Sequence, residues 1–236
     1  MGLKVKVKTF ESFLKKATMS GKQQVKTTIL DFTSDGLKII GSLSDEQSTR
    51  STSTKHPASF IEYEAIGKVP MNDVDVFINL LKRFNDDVSI KKEGNLLVVS
   101  EGNKKVGVEL VSENFVPKSD KTPDLEFANV FEMDSKKLSE IIADASMSSD
   151  AVITIQTFNG EVKFSNTGKY KFEHIVEAVH CKEGSKVSFG QPFVDAVKNL
   201  DGILTLNVKT DYPIAIVENT DETDIEILVV PKVVEE

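Results

Sequence analysis

The chain repeats its own plan, and that repetition limits the folds open to it. Phe10, Phe13, Leu14, Ala17 and Met19 fall in register with Leu138, Ile141, Ile142, Ala145 and Met147. A second apolar series, Phe77, Ile78, Leu81 and Phe84, matches Phe193, Val194, Val197 and Leu200. Each of these runs into a strand-like segment, Val88-Ser89-Ile90 or Leu204-Thr205-Leu206. A repeat of this size predicts two similar domains side by side, a plan suited to building symmetric rings.

The order of elements is the same in both halves. Lys4 to Lys8 alternates Val with Lys and predicts a half-buried strand. Thr9 is then the expected N-cap of a helix carrying Phe10, Phe13, Leu14 and Ala17 inward and ending at Gly21. Val25 to Phe32, the Ser34-Asp35-Gly36 turn and Leu37 to Ile40 predict a hairpin. The stretch Ser42–Thr54 is rich in Ser and Thr and reads mostly as a loop, and Phe60 to Val69 as a strand closed by Pro70. Asn72 or Asp73 caps a second helix, with Val76, Phe77, Leu80, Leu81 and Phe84 expected inward. Segments 88–91, 96–100 and 106–111 then form a meander across the glycine turns at Gly94 and Gly102.

Periodicity stops from Ser112 to Asn129, so the domains are expected at 1–111 and 130–236 with 112–129 as connector. The second half follows as a strand at 130–133 and a helix at 135–145. Strands come next at 152–157, 161–164, 171–178 and 186–189, then a helix at 192–200. Strands at 204–208, 212–217 and 224–230 complete it. The fold class is therefore α+β, with two helices packed on antiparallel sheet in each domain.

No catalytic constellation emerges. His180 and Cys181 are adjacent, and neighbours on a strand point to opposite faces, so they pair poorly as base and nucleophile. Two nearby His and a single Cys fall short of a zinc site, which usually needs four ligands, and no phosphate-cradling glycine motif is present. The chain is expected to be no enzyme, with no metal and no cofactor. One cysteine excludes an intrachain disulfide and fits a reducing compartment. No apolar stretch reaches the ~18 residues that span a bilayer, and the alternating N-terminus does not resemble a signal peptide. Gly2 lacks the Ser or Thr of a myristoylation motif, since Lys6 stands there.

The net charge of −8 excludes a uniformly basic surface but not a local one. Cations sit on the outward faces of all four expected helices: Lys15 and Lys16, Lys82 and Arg83, Lys136 and Lys137, and Lys198. Were the helices to line one surface, these side chains could reach phosphates without reading bases. By spacing alone they are also what any amphipathic helix shows to solvent, and Glu11, Asp73, Asp75, Glu140, Asp144 and Asp195 dilute the field.

The duplicated unit, the connector and the ending together carry a resemblance. Tyr212-Pro213-Ile214-Ala215-Ile216-Val217, followed by Ile225 to Lys232 with Pro231 before a basic residue and an acidic tail, is similar to the closing hairpin of DNA sliding clamps. That family includes proliferating cell nuclear antigen and the clamps of tailed phages, and the resemblance spans nearly the whole chain. It implies a ring, in the usual case a homotrimer, whose helices face a pore wide enough for duplex DNA. The seven helix cations would then be sequence-independent DNA contacts, and the ring would act as a processivity factor for DNA polymerase.

The resemblance also implies a clamp loader, and a location in a prokaryotic or virus-infected cytoplasm or in a nucleus. Subunits would join through edge strands, with Val106, Val108 and Leu110 of one chain against Lys171, Glu173 and Ile175 of the next. A partner peptide would bind at Ile40, Pro213, Leu228, Val230, Pro231 and Lys232, with Phe115, Val116 and Leu125 of the connector. The alternatives are a paralogue working in a hetero-oligomer and a monomeric polymerase accessory protein.

Overall fold

The computed structural model describes residues 2–20, 25–42, 49–116, 125–147, 152–167, 169–178, 180–181 and 184–232. Its first unit runs β1 (Leu3–Lys6), α1 (Val7–Ala17), β2 (Thr28–Thr33), β3 (Gly36–Ser42), β4 (Arg50–Lys55) and β5 (Gly67–Met71). It continues with α2 (Val74–Leu81), β6 (Asp87–Glu93), β7 (Leu96–Glu101) and β8 (Lys104–Glu109). The second unit opens with β9 (Asn129–Asp134), α3 (Ser135–Ala145), β10 (Ile153–Phe158), β11 (Glu161–Asn166) and β12 (Glu173–Glu177). It ends with β13 (Ser185–Phe189), α4 (Gln191–Lys198), β14 (Ile203–Val208), β15 (Ile214–Asn219) and β16 (Thr223–Val229).

The units correspond element by element. Sheet order β1-β6-β7-β8 in the first is matched by β9-β14-β15-β16 in the second, and β5-β2-β3-β4 by β13-β10-β11-β12. A detail of bonding confirms the correspondence: Glu101 accepts the N–H groups of Asn85 and Asp86, and Glu218 accepts that of Asp201, just after α2 and α4 respectively.

The units are fused because β4 pairs antiparallel with β16, which makes one eight-stranded sheet, β5-β2-β3-β4-β16-β15-β14-β9. Leu30, Phe32, Leu37 and Ile39 point to the same face of that sheet as Ile214, Ile216, Leu204 and Leu206, as the register through Ser53↔Ile225 and Ser51↔Ile227 requires. Both hydrophobic cores therefore lie on one side. The first gathers the strands around Phe10, Phe13, Phe77 and Leu81, and the second around Leu138, Ile142, Phe193 and Val197. All four helices consequently lie on the same side of the joined sheet, paired as α1 with α2 and α3 with α4.

Several sequence expectations are corrected. Within the Ser42–Thr54 stretch, read mostly as loop, Ser42 ends β3 and residues 50–54 belong to β4, at the centre of the long sheet; residues 43–48 lie outside the described residues. Its alternation is polar throughout, with Ser51, Ser53 and Lys55 buried, and the Ser51 hydroxyl donates to the Ala17 carbonyl at 2.5 Å. Of the strand expected from Phe60 to Val69 only residues 67–69 are strand, in β5, which runs on through Pro70 at a sheet edge; residues 60–66 are irregular chain after a short 3-10 turn at Pro57–Ser59.

Helix α1 begins at Val7, with Lys6 at the cap position and no side-chain cap, so Thr9 caps nothing. The cap of α2 is Asp73, which accepts from the N–H groups of Asp75 and Val76. Val76, expected inward, is exposed. Gly21, the expected end of α1, and residues 117–124 of the connector lie outside the described residues.

Candidate nucleic-acid interface and partner site

The seven predicted cations do not share one fate. Lys82 caps the C-terminus of α2 and Arg83 follows it, both exposed, with Lys82 Nζ donating to Asn79 Oδ1 at 2.9 Å. Lys136 and Lys137 stand in the first turn of α3, their side chains exposed while their backbone N–H groups are held by Asp134. Lys198 ends α4 and is exposed. Lys15 is part-exposed and paired with Glu11 at 2.6 Å along the helix. These six lie on one side of the molecule, where the sheet argument puts the helices.

Lys16 is different, and this corrects its reading as a DNA contact. It is 11 % exposed and its Nζ lies 2.7 Å from Glu218 and 3.1 Å from Asp201, both in the second unit. It fastens the two units together. Lys8 was missed, because reading the strand through to Lys8 hid that α1 already includes it; it is an exposed cation in that helix's first turn.

Beside Lys16 opens a cavity of about 630 Å³ between α1 and the β15–β16 hairpin, lined by Lys8, Ser12, Lys55, Glu222 and Thr223 among others. Lys55 is fully buried, between the rings of Phe13 and Phe60 at 5.8 and 5.6 Å, with the Glu222 carboxylate 3.6 Å away. Burial lowers its pKa against the opposing attraction of Glu222.

The partner-site residues fall into groups. Ile40 is 45 % exposed on β3, on the face of the long sheet turned away from the helices; Leu228 of β16 shares that face. Pro213 is half-buried just before β15. Phe115 is 76 % exposed and Val116 buried, in a turn beside β5, where the Val111 N–H donates to the Pro70 carbonyl and Lys68 pairs with Glu113. Leu125, Val230 and Pro231 are half-buried, and the exposed Lys232 donates its N–H to Ser188 of β13. The structure thus joins Ile40 and Leu228 on one face and sets Phe115 and Lys232 beside two different sheet edges.

The candidate nucleophile is closed off. Cys181 is fully buried in the second core, and burial pushes its thiol pKa up, while His180 is exposed in a turn. No helix among the described residues is long and apolar enough to cross a membrane, and no cluster of His, Cys, Asp or Glu among them could hold a metal ion.

Solved structures share this architecture along the whole chain. Proliferating cellular nuclear antigen from Entamoeba histolytica superposes with a TM-score of 0.82 at 17% identity, covering 99% of this chain and 100% of that one. A clamp bound to the C-terminal region of FEN-1, the A. fulgidus PCNA, gives 0.83 at 17% identity and 99% coverage of both chains. The chain has the sliding-clamp fold. A PCNA2–PCNA3 complex from Sulfolobus tokodaii has the same fold, with a TM-score of 0.80 at 19% identity over 98% of this chain and 99% of that one. In sequence, the chain is 26% identical over 176 residues to the DNA polymerase sliding clamp of Nanoarchaeum equitans, across 67% of this chain and 71% of that protein. No family model matches. The sliding-clamp fold accounts for both the element-by-element repeat and the placing of the helices on one side.

Proposed function

We propose that the chain is a DNA sliding clamp: three copies close into a ring of six similar units around duplex DNA and tether a DNA polymerase as a processivity factor. The domains are 1–111 and 130–236, joined by the connector 112–129. The observation that carries this reading is the single helical side of the joined sheet, which bears six exposed or part-exposed predicted cations on a chain of net charge −8. A ring retains DNA by topology, so a few phosphate contacts suffice and sliding stays easy. The relationship to the Nanoarchaeum sliding clamp supports it.

The chain itself catalyses nothing in this reading; a loader opens the ring, in a prokaryotic or virus-infected cytoplasm or in a nucleus. Partner proteins insert a short peptide with apolar anchors against the exposed Ile40 and Phe115, with the largely buried Leu228 beside Ile40; that the A. fulgidus neighbour binds the C-terminal region of FEN-1 supports peptide binding by this fold. The test is retention: the protein, loaded on nicked circular DNA, stays bound in high salt and is lost when the circle is cut. Equal loss from circular and linear DNA overturns the reading.

A further inference from the structure

We infer that the cavity between α1 and the β15–β16 hairpin is a binding site for a small phosphate compound, held by Lys55, Lys8 and Ser12. The site does not depend on the ring proposed above. Strand β4 ends at Lys55, which pairs in register with Thr223 at the start of β16, so both units contribute walls. Lys8, Ser12 and Lys16 recur every four residues on α1 and border the cavity as one stripe. Its volume, about 630 Å³, falls within the range of roughly 300–1,000 Å³ found for small-molecule sites.

Lys55 is the group that points to an anion. Its side chain is fully buried, yet its Nζ has no hydrogen-bond acceptor, and the Glu222 carboxylate stands 3.6 Å off. The Phe13 and Phe60 rings, at 5.8 and 5.6 Å, attract the ammonium but offer it no lone pair. Taking an ammonium out of water without an acceptor is costly, and a ligand that supplies the acceptor recovers that cost.

The start of α1 adds a second source of positive potential. Asp73 and Asp134 cap α2 and α3, but α1 has no side-chain cap and no acidic residue in its first turn. Lys8 stands exposed in that turn, and Thr9 borders the cavity beside it. The N–H groups and dipole of a helix start favour an anion.

Three carboxylates also border the cavity, and they decide which anion fits. Glu218 is taken up by Lys16 and the Asp201 N–H, and Asp221 is exposed. Glu222 is 58 % exposed, on a turn whose backbone is held by the Thr220 hydroxyl, so its side chain can swing out without unfolding the hairpin. A phosphate carries more charge than that carboxylate and has oxygens enough to accept from Lys55, Lys8 and Ser12 together. Glu222 is therefore the group that the ligand displaces. A backbone phosphate of duplex DNA has the same chemistry, but Lys55 has no exposed surface to offer a duplex lying along the helices.

The test is calorimetric titration of the full chain with inorganic phosphate and with pyrophosphate, against acetate at equal ionic strength. Both phosphates should bind and raise the melting temperature, and acetate should do neither. Lys55→Met keeps the apolar stem of the side chain; it should weaken binding at least about tenfold and abolish the rise in melting temperature. Glu222→Gln should tighten binding about threefold, and Lys91→Ala, at an exposed lysine of β6, should leave it unchanged. No binding up to about 10 mM phosphate, equal binding by Lys55→Met, or weaker binding by Glu222→Gln overturns the site. Should Lys55→Met instead lower the log–log salt slope of DNA binding by about one unit, the phosphate belongs to the duplex and the small-ligand reading is overturned.

Discussion

Lys16 on α1 and Glu218 on β15 are 202 positions apart in sequence and form an ion pair of 2.7 Å whose carboxylate is 1 % exposed. The same carboxylate accepts the Asp201 N–H at 2.6 Å, so one buried group satisfies a helix cation and a loop donor together. A cation expected to face DNA instead holds the two units in one orientation.

Breaking that pair should be costly. Lys16→Ala leaves Glu218 charged and buried, and should lower unfolding free energy by about 3 kcal/mol, read from denaturant midpoints. Lys15→Ala, one position away in a part-exposed pair, should cost at most about 0.5 kcal/mol. Equal effects from the two would show that the seam does not depend on Lys16.

Lys55 sets a pH dependence. Its folded pKa lies below the ordinary 10.5, so between the folded value and 10.5 the unfolded chain binds more protons and stability rises with pH. Lys55→Met should remove that alkaline rise and stabilise the protein at neutral pH by about 1 kcal/mol, since the amine is buried between Phe13 and Phe60. Melting curves of both proteins from neutral to mildly alkaline pH decide it; parallel curves would count against a desolvated ammonium.

The exposed helix cations should act on DNA and not on assembly. Replacing Lys82, Arg83, Lys136, Lys137 and Lys198 together with Ala should reduce the salt dependence of DNA binding, by roughly one unit of log–log slope for each phosphate no longer neutralised. The oligomer should be unchanged. Adding Lys8→Ala should lower the slope further, and Lys16→Ala should not.

Ile40→Asp and Phe115→Ala should each weaken binding of a polymerase-derived peptide by about tenfold or more, measured by calorimetry, while retention on circular DNA persists. The substituted side chains are 45 % and 76 % exposed, so melting temperatures should shift little. Loss of ring retention instead would place these residues in the assembly.

The apolar repeat was legible because helix and strand periods record burial directly. Helix α3 begins and ends where its pattern does, at Ser135 and Ala145, and the turns at Gly94, Gly102 and Gly160 adopt the positive φ that glycine tolerates. Strand β4 was not legible by hydrophobicity, because Ser51, Ser53 and Lys55 fill its buried face. The remaining signal was a bare two-residue alternation with Thr52 and Thr54, β-branched residues suited to strands. Met19 and Met147 occupy matching places in the repeat, yet one is buried and the other exposed, a difference that lies wholly in what each helix end meets.

By itself the sequence determined that two like units, each with two amphipathic helices and antiparallel strands, make up this chain, because patterning against water is a local property. Only the tertiary structure decided that a polar strand fuses the units through β4 and β16, that Lys16 is bound by Glu218, and that all four helices share one side. Those outcomes depend on sheet register and on ion pairs between residues far apart in the chain, and no local pattern encodes either.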